Sequence, residues 1–356
     1  MILRSLSPKL TVTDKSLNAG DQRKRIVVWT KIFGEEVNPT VFDECGNLTQ
    51  KCILTAQRDG IDKAAAVIFH ATEFSRDDLP KLRHQNQRYV FLTMEAPVNF
   101  NKKNLNAIPG IKNFFNWSMT YRRDVDVPMP YGGWWVNPEK SKTLGLKPEN
   151  LTTNSTAILD GKQKPIFWLV SNCNTVSKRE VAVKQLTQYI NVNIIGKCAN
   201  RNGTMGCEHG GRCEEFLAKQ HFFFLALENT VCKDYVTEKY WARYQFPSVP
   251  IVMRRHVYEK ILPPNSFIPM DDFKSPRKMA DYLKMLMSNH SAYLSYFSWR
   301  AEGWSRPWQI PGYRLGYCKL CEKLLEDHSK KIIKNITASF FENASCEGGE
   351  FAKSWF

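Results

Sequence analysis

Short apolar runs rich in β-branched and aromatic residues recur along this chain, separated by polar stretches long enough to hold helices. Lys24–Thr30 (KRIVVWT), Ala64–Phe69 (AAAVIF) and Arg88–Met94 (RYVFLTM) read as buried strands, and Asn113–Met119 as another. This rhythm predicts an α/β fold with parallel sheets. A second series follows at Pro165–Val170 (PIFWLV), Val192–Ile195, Phe222–Leu227 (FFFLAL) and Val249–Met253 (VPIVM). Ser171 or Asn172 is placed to cap a helix carrying Val181, Val183, Leu186 and Ile190. A helix is expected from about Asp234 to Tyr244, and another runs to Ser288 from Ser275-Pro276, a cap followed by a first-turn proline.

Between the two series, residues 137–164 are rich in proline, glycine and polar side chains. The pattern therefore predicts a stem (1–24), an N-terminal domain (25–150), a linker (151–164), a C-terminal domain (165–323) and a peripheral tail (324–356). A length of 356 residues suits two domains. Two α/β domains in series suggest a ligand crevice at the carboxyl ends of their strands.

Composition narrows the partners. With 43% apolar and 24% charged residues, the chain is neither collagen-like, coiled-coil nor wholly disordered. The net charge of +15 suits an anionic partner: nucleic acid, membrane headgroups or a phosphorylated small molecule. The basic residues are dispersed, which disfavours nucleic acid. Ten cysteines allow full disulfide pairing. Asn-X-Ser/Thr acceptors begin at Asn47, Asn116, Asn150, Asn154, Asn202, Asn289, Asn335 and Asn343. About three would arise by chance, so the excess points to a secretory lumen, where disulfides persist. No apolar run reaches the roughly 18 residues of a membrane span, and the first ten residues make a poor signal peptide.

The most informative window is FFFLALENTVCKDYVTEKYWARYQFPSVPIVM, residues 222–253. An apolar run enters Glu228-Asn229-Thr230. If a helix then starts near Asp234, Tyr235, Glu238 and Lys239 share one face of its first turns. Free amides, the helix dipole, the Lys239 charge and the Tyr235 hydroxyl together suit a diphosphate. Glu238 can accept from a sugar hydroxyl.

This window resembles the signature of the α1,3-fucosyltransferases that use GDP-fucose, glycosyltransferase family 10. Phe167–Arg179 (FWLVSNCNTVSKR), Met94-Glu95-Ala96-Pro97, Phe115-Asn116-Trp117, Tyr121–Asp126 (YRRDVD) and Pro130-Tyr131-Gly132 resemble that family's other blocks, in its order. Ser266-Phe267-Ile268 and Cys318-x-x-Cys321 also fit. The resemblance implies a GT-B-type architecture, two Rossmann-like domains facing across a cleft. It implies that Arg179 and Lys239 bind the phosphates and that Tyr235 and Glu238 hold diphosphate and fucose. Asn229 lies on the nucleotide side, Ser171 and Asn172 in the donor-binding segment, and Glu95 is the general base. It further implies an inverting transfer from GDP-fucose to the 3-hydroxyl of an N-acetylglucosamine or related residue of a glycan acceptor. The setting is the Golgi lumen, with no required cofactor, a divalent cation being at most stimulatory. The resemblance also implies a type II membrane protein, and no transmembrane segment is read in this chain.

The chain departs from the pattern in places. Tyr240-Trp241-Ala242-Arg243 follows Lys239, Met253 stands where a glycine-bearing loop is usual, and residues 201–215 form an expanded loop. Rival readings attach to other residues. Asp124-Val125-Asp126 can hold a divalent cation in a metal-dependent transferase with another donor. Cys207, His209 and Cys213 suggest zinc, or more simply a loop disulfide. A catalytically inactive glycan-binding relative is the remaining alternative.

Overall fold

The computed structural model describes residues 21–75, 77–100, 111–199, 207, 211–307 and 312–355. Most of the expected stem, Asn202 and His209 lie outside them. The described residues form two compact units.

The first unit takes in residues 21–130 and 312–343. Its sheet has six strands: β1 (Lys24–Val28), β2 (Cys52–Thr55), β3 (Ala66–His70), β4 (Arg88–Thr93), β5 (Trp117–Thr120) and β6 (Val127–Pro128). The order is β2-β1-β3-β4-β5-β6, and every pairing is parallel. All of β3 and β4 is buried, which is why those segments read as continuous apolar runs rather than alternating ones. The core gathers Ile26, Ile68, Val90, Trp117 and Met119 against Leu320 and Leu324 of the Gly312–Glu326 helix. That helix is stapled to the unit by Cys45–Cys318 and Cys52–Cys321. Each staple contributes roughly 2–4 kcal/mol by restricting the unfolded chain. Cys318 and Cys321 pair with distant partners, not with each other.

The second unit takes in residues 131–307 and 344–355. Its strands are β7 (Lys164–Leu169), β8 (Val192–Ile195), β9 (His221–Leu225), β10 (Val249–Val252) and β11 (Ile268–Pro269), in the order β11-β10-β9-β7-β8, again all parallel. Numbered from its own start, this sheet runs 2-1-3-4-5, the order of the first five strands of the other sheet. Phe223, Phe224 and Ile251 of the sheet, with Leu227 of the loop after β9, lie in the core, each worth roughly 1.5–3 kcal/mol when removed from water. The Pro276–Ser288 helix forms as expected, with Ser275 accepting from the Lys278 amide at 3.3 Å.

Several boundaries differ from the sequence reading. The chain passes between units at Pro130/Tyr131, ahead of the expected linker. Residues 151–164 contain the Ser155–Leu159 helix, whose Ile158 is buried in the second core. Short helices capped by Asn137 and Asn154 give this polar stretch its order. The expected peripheral tail is packed as well, since Ile333, Ile336, Phe340, Ala352 and Trp355 are buried. Its first part belongs to the first unit and its last part to the second.

Candidate active site

In parallel α/β sheets, ligands gather at the carboxyl edge where strand order reverses. In the second unit that point lies between β7 and β9. The loop after β7 runs from Val170 to Lys178, and the loop after β9 from Ala226 to Thr237. Ser177 joins them, its amide donating to the Asn229 carbonyl at 3.0 Å and its hydroxyl to the Glu228 carbonyl at 2.8 Å.

Arg179 opens the helix Arg179–Leu186 and is buried. Its guanidinium donates to the carbonyls of Leu227, at 2.5 Å, and Asn172, at 3.1 Å. Burial pushes its pKa down, opposed by the carboxylates of Glu228, Glu180 and Glu238. A guanidinium has five N–H donors, so two bonds orient it without exhausting it. Its Nε has no partner among the described residues.

Lys239 is engaged by Thr237 Oγ1 at 2.8 Å, Glu228 at 3.0 Å and Glu238 at 3.2 Å. Burial works against its charge, but the two carboxylates outweigh it and raise the lysine pKa. Burial also lifts Glu228, against the pull of Lys239. In Glu238, Lys239 and Thr237 outweigh burial and hold the carboxyl below its usual range. Two cations and two carboxylates therefore form one cluster, in which Arg179 and Glu228 are buried and Lys239 and Glu238 half-buried. Removing Lys239 would strand the buried Glu228 carboxylate at a cost of roughly 3–5 kcal/mol.

Sequence reasoning missed Glu228. Its carboxylate accepts from the Thr237 amide at 2.8 Å and the Thr237 hydroxyl at 2.8 Å, besides Lys239. The signal was present: a carboxylate directly after six apolar residues must be buried, and a buried carboxylate needs a nearby cation.

The expected helix from Asp234 to Tyr244 does not form. The helix is the four-residue Glu238–Trp241, because Asp234 takes a left-handed backbone (φ 62°) and Thr237 is an extended cap. Tyr235 thus precedes the helix and does not share a helix face with Glu238 and Lys239. It is buried, with its ring edge-on to Tyr131 at 6.0 Å. The short helix is fixed from behind by Arg243, which donates to the Lys239 carbonyl at 3.0 Å and pairs with buried Glu214 at 2.7 Å. Gly132 is required here: a Cβ on it would lie 2.1 Å from the Trp241 ring. Ser171 and Asn172 do not cap the first helix, which starts at Arg179 after left-handed Lys178. They lie on the exposed part of the loop, which Cys173–Cys198 ties down.

Around this cluster, four buried polar atoms have no hydrogen-bond partner among the described residues: Arg179 Nε, Asn229 Oδ1, Thr230 Oγ1 and Glu238 Oε2. Buried polar atoms are ordinarily satisfied, so these four, on residues that flank or belong to the charged cluster, are available to a ligand's polar groups.

In the first unit, Glu95 follows β4 by two residues and is half-buried. Its amide donates to Thr93 Oγ1 at 3.0 Å, and Asn99 Nδ2 donates to its carboxylate at 2.8 Å. Asp124 is bound by Arg122 at 2.7 Å, and Asp126 by Lys331 at 2.5 Å and Ser118 at 3.0 Å. Among the described residues, no group of three or more His, Cys, Asp and Glu side chains is arranged to hold a metal. Cys207 and Cys213 are joined to each other, which removes both thiolates from the zinc reading.

Asn116 is buried and its side-chain amide makes three hydrogen bonds: Arg83 and the Tyr89 amide donate to its oxygen, and its nitrogen donates to the Lys331 carbonyl. A glycan has no room there on the folded chain. Asn47, Asn150, Asn154, Asn289 and Asn343 are exposed, and Asn335 is half-buried. Asn154, Asn289 and Asn335 each cap a helix through the side-chain oxygen, leaving the nitrogen free of that task.

Residues 21–132 match the family model described as fucosyltransferase, N-terminal. Residues 159–339 match that of glycosyltransferase family 10 (fucosyltransferase), C-terminal. The chain is 33% identical to alpha-(1,3)-fucosyltransferase fut-1 of Caenorhabditis elegans, over 83% of this chain and 66% of that protein. It is 33% identical to alpha-(1,3)-fucosyltransferase C of Drosophila melanogaster, over 90% and 78%. It is 34% identical to the Bos taurus protein named 3-galactosyl-N-acetylglucosaminide 4-alpha-L-fucosyltransferase FUT3, over 89% and 82%. A crystal structure of an alpha1,3-fucosyltransferase with GDP-fucose shares the fold, with a TM-score of 0.56 at 19% identity over 91% of this chain and 96% of that one. With both family models matched in order and two doubly wound units to carry them, the chain belongs to glycosyltransferase family 10, the fucosyltransferases.

Proposed function

We propose that this chain is an inverting α1,3-fucosyltransferase that moves fucose from GDP-fucose to the 3-hydroxyl of an N-acetylglucosamine or related residue of a glycan. The observation that carries the reading is the group of partnerless polar atoms, Arg179 Nε, Asn229 Oδ1, Thr230 Oγ1 and Glu238 Oε2, beside the charge-balanced Arg179–Glu228–Glu238–Lys239 cluster. The nematode and fly relatives are named for the α1,3 linkage, the bovine one for the 4-position.

Each residue has a part in the reaction. Arg179, held by two backbone carbonyls, presents its remaining N–H donors to the diphosphate. Lys239 keeps its bonds to Thr237 and Glu228 and turns from Glu238, its longest contact, to a phosphate oxygen. Glu238, released, accepts from a fucose hydroxyl, and Tyr235 and Asn229 complete the pocket. Ser171 and Asn172 edge the donor site. As the bond between the anomeric carbon and the phosphate oxygen breaks, positive charge grows on the sugar and negative charge on the departing GDP. The fixed cations stabilise the latter. Glu95 takes the proton from the acceptor hydroxyl as its oxygen bonds to the opposite face of the anomeric carbon, and the configuration inverts. One carboxylate suffices, because a diphosphate leaves without needing a proton.

No metal is invoked, since Asp124 and Asp126 are committed to Arg122 and Lys331. Five disulfides and the exposed acceptor asparagines support residence in an oxidising secretory compartment, the Golgi lumen. Among the described residues no helix is long and apolar enough to cross a membrane.

Incubating the protein with GDP-fucose and a glycan panel, with and without excess chelator, tests the reading. Fucose at the 3-position of an N-acetylhexosamine, formed equally in both, is expected. No transfer to any acceptor would refute the activity, and turnover lost to chelator would return Asp124 and Asp126 to the mechanism.

A further inference from the structure

Residues 344–355 leave the helix Ile336–Glu342 of the first unit and pack in the second. Cys346 is disulfide-bonded to Cys232, midway between Asn229 and Tyr235. Backbone bonds flank the disulfide on both sides: the Lys233 amide donates to the Ala344 carbonyl at 2.8 Å, and the Glu347 amide to the Val231 carbonyl at 2.8 Å. Three consecutive residues of the loop after β9 are therefore pinned in turn. The Glu347 carboxylate holds Arg254 at 2.9 Å and His256 at 3.1 Å, just beyond β10. Gly349 lies against Lys178, the residue before Arg179, so closely that a Cβ would be 2.3 Å from the lysine Cγ. Beyond it, Phe351 lies under the Arg254 guanidinium and the Trp355 indole donates to the Phe273 carbonyl at 2.8 Å.

One strap thus touches the segments that follow β7, β9 and β10. Three left-handed residues lie on it or on the segments it touches. Lys178 (φ 53°), Asp234 (φ 62°) and Ser345 (φ 45°) are all left-handed non-glycine residues. Each such residue costs on the order of 1 kcal/mol and persists only when its surroundings fix it.

We propose that this C-terminal strap, locked by Cys232–Cys346, positions the donor site: it holds Asn229 and Tyr235 on one side and Arg179 on the other at the spacing the nucleotide diphosphate needs. The strap touches no reacting atom, and its residues are positioning residues. The inference rests on the reading of the 171–239 cluster as the donor site.

The test compares the intact chain with C232S/C346S, in which no lone thiol remains, by GDP calorimetry and by separate KM values for GDP-fucose and acceptor. GDP affinity and the donor KM should worsen tenfold or more. Acceptor KM should stay within twofold, and kcat at saturating donor should approach that of the intact chain. A variant that melts earlier yet binds GDP as the intact chain does would reduce the strap to a stability element and overturn the proposal. If C232S/C346S does not fold, Glu347→Gln and Gly349→Ala keep the disulfide and carry the test. Threefold or greater weakening of GDP binding is expected, and unchanged affinity in both overturns the proposal. If the intact chain binds no GDP, the donor-site reading fails and the strap proposal with it. If it binds and the variants match it, the strap proposal alone fails.

Discussion

Glu95 in the first unit stands two residues beyond buried β4, and Lys239 in the second is held by Glu228, three residues beyond buried β9, in sheets whose first five strands share one order. Their surroundings differ. Glu95 is half-buried on a short turn, its amide donating to Thr93 Oγ1 and its carboxylate accepting from Asn99. Lys239 is held by Thr237, Glu228 and Glu238, with Arg179 buried beside it and a disulfide-locked strap fixing the loop that leads to it. One scaffold thus offers two kinds of site. The proposed base is half-buried on a turn, whereas the charges proposed to hold the diphosphate are paired with one another and braced by a disulfide-locked segment.

The sharpest way to break this comparison is to remove function from one unit and look for loss in the other. Glu95→Gln should lower kcat for transfer by about 10²- to 10⁴-fold, the usual worth of a general base, while GDP affinity stays within twofold. A variant that keeps full turnover would remove Glu95 from the role. One that loses GDP binding would show that the two sites are not separable in the way their surroundings suggest.

A smaller effect separates the units by their buried histidines. His70 in the first faces the Glu73 carboxylate through Nδ1, whereas His221 in the second donates its Nδ1 proton to the Leu217 carbonyl at 2.7 Å; neither Nε2 has a partner among the described residues. Burial, partly offset by the Leu217 carbonyl, pushes the His221 pKa down to about 4 from 6.5. Between those values the unfolded chain binds a proton that the folded one refuses. Folding stability therefore falls as pH drops through that window, by at most about 1.4 kcal/mol per unit. Melting followed from pH 6.5 to pH 4 should show this loss, and His221→Gln should flatten it. An unchanged slope in the variant would mean that His221 charges freely in the fold.

The sheets were legible because parallel strands buried on both faces leave unbroken apolar runs: the ends of Arg88–Thr93 and His221–Leu225 lie within two residues of where the sequence puts them. Cys52–Thr55 and the two-residue strands Val127–Pro128 and Ile268–Pro269 were missed because edge strands this short leave almost no periodic signal. Asn229, Tyr235, Glu238 and Lys239 were singled out in the window and Arg179 in the Phe167–Arg179 block, and all five lie in the segments that follow β7 and β9. Their local geometry was not legible. Helical spacing says nothing of a left-handed Asp234, and that one residue shortens the helix and detaches Tyr235 from it. The strap was illegible for a different reason. A polar C-terminal stretch looks like a frayed end until its cysteine's partner is known, and disulfide connectivity is a long-range fact that spacing does not encode.

The central claim is that the braced, charge-balanced cluster of the second unit takes a nucleoside diphosphate. Calorimetric titration of GDP into the intact protein and into Lys239→Ala, each first shown to be folded, tests it most directly. Saturable one-to-one binding by the intact protein is predicted, weakened about 10- to 100-fold in the variant, as expected when one charge-assisted bond to phosphate is lost. No heat of binding in the intact protein, or equal affinity in both, would contradict the account.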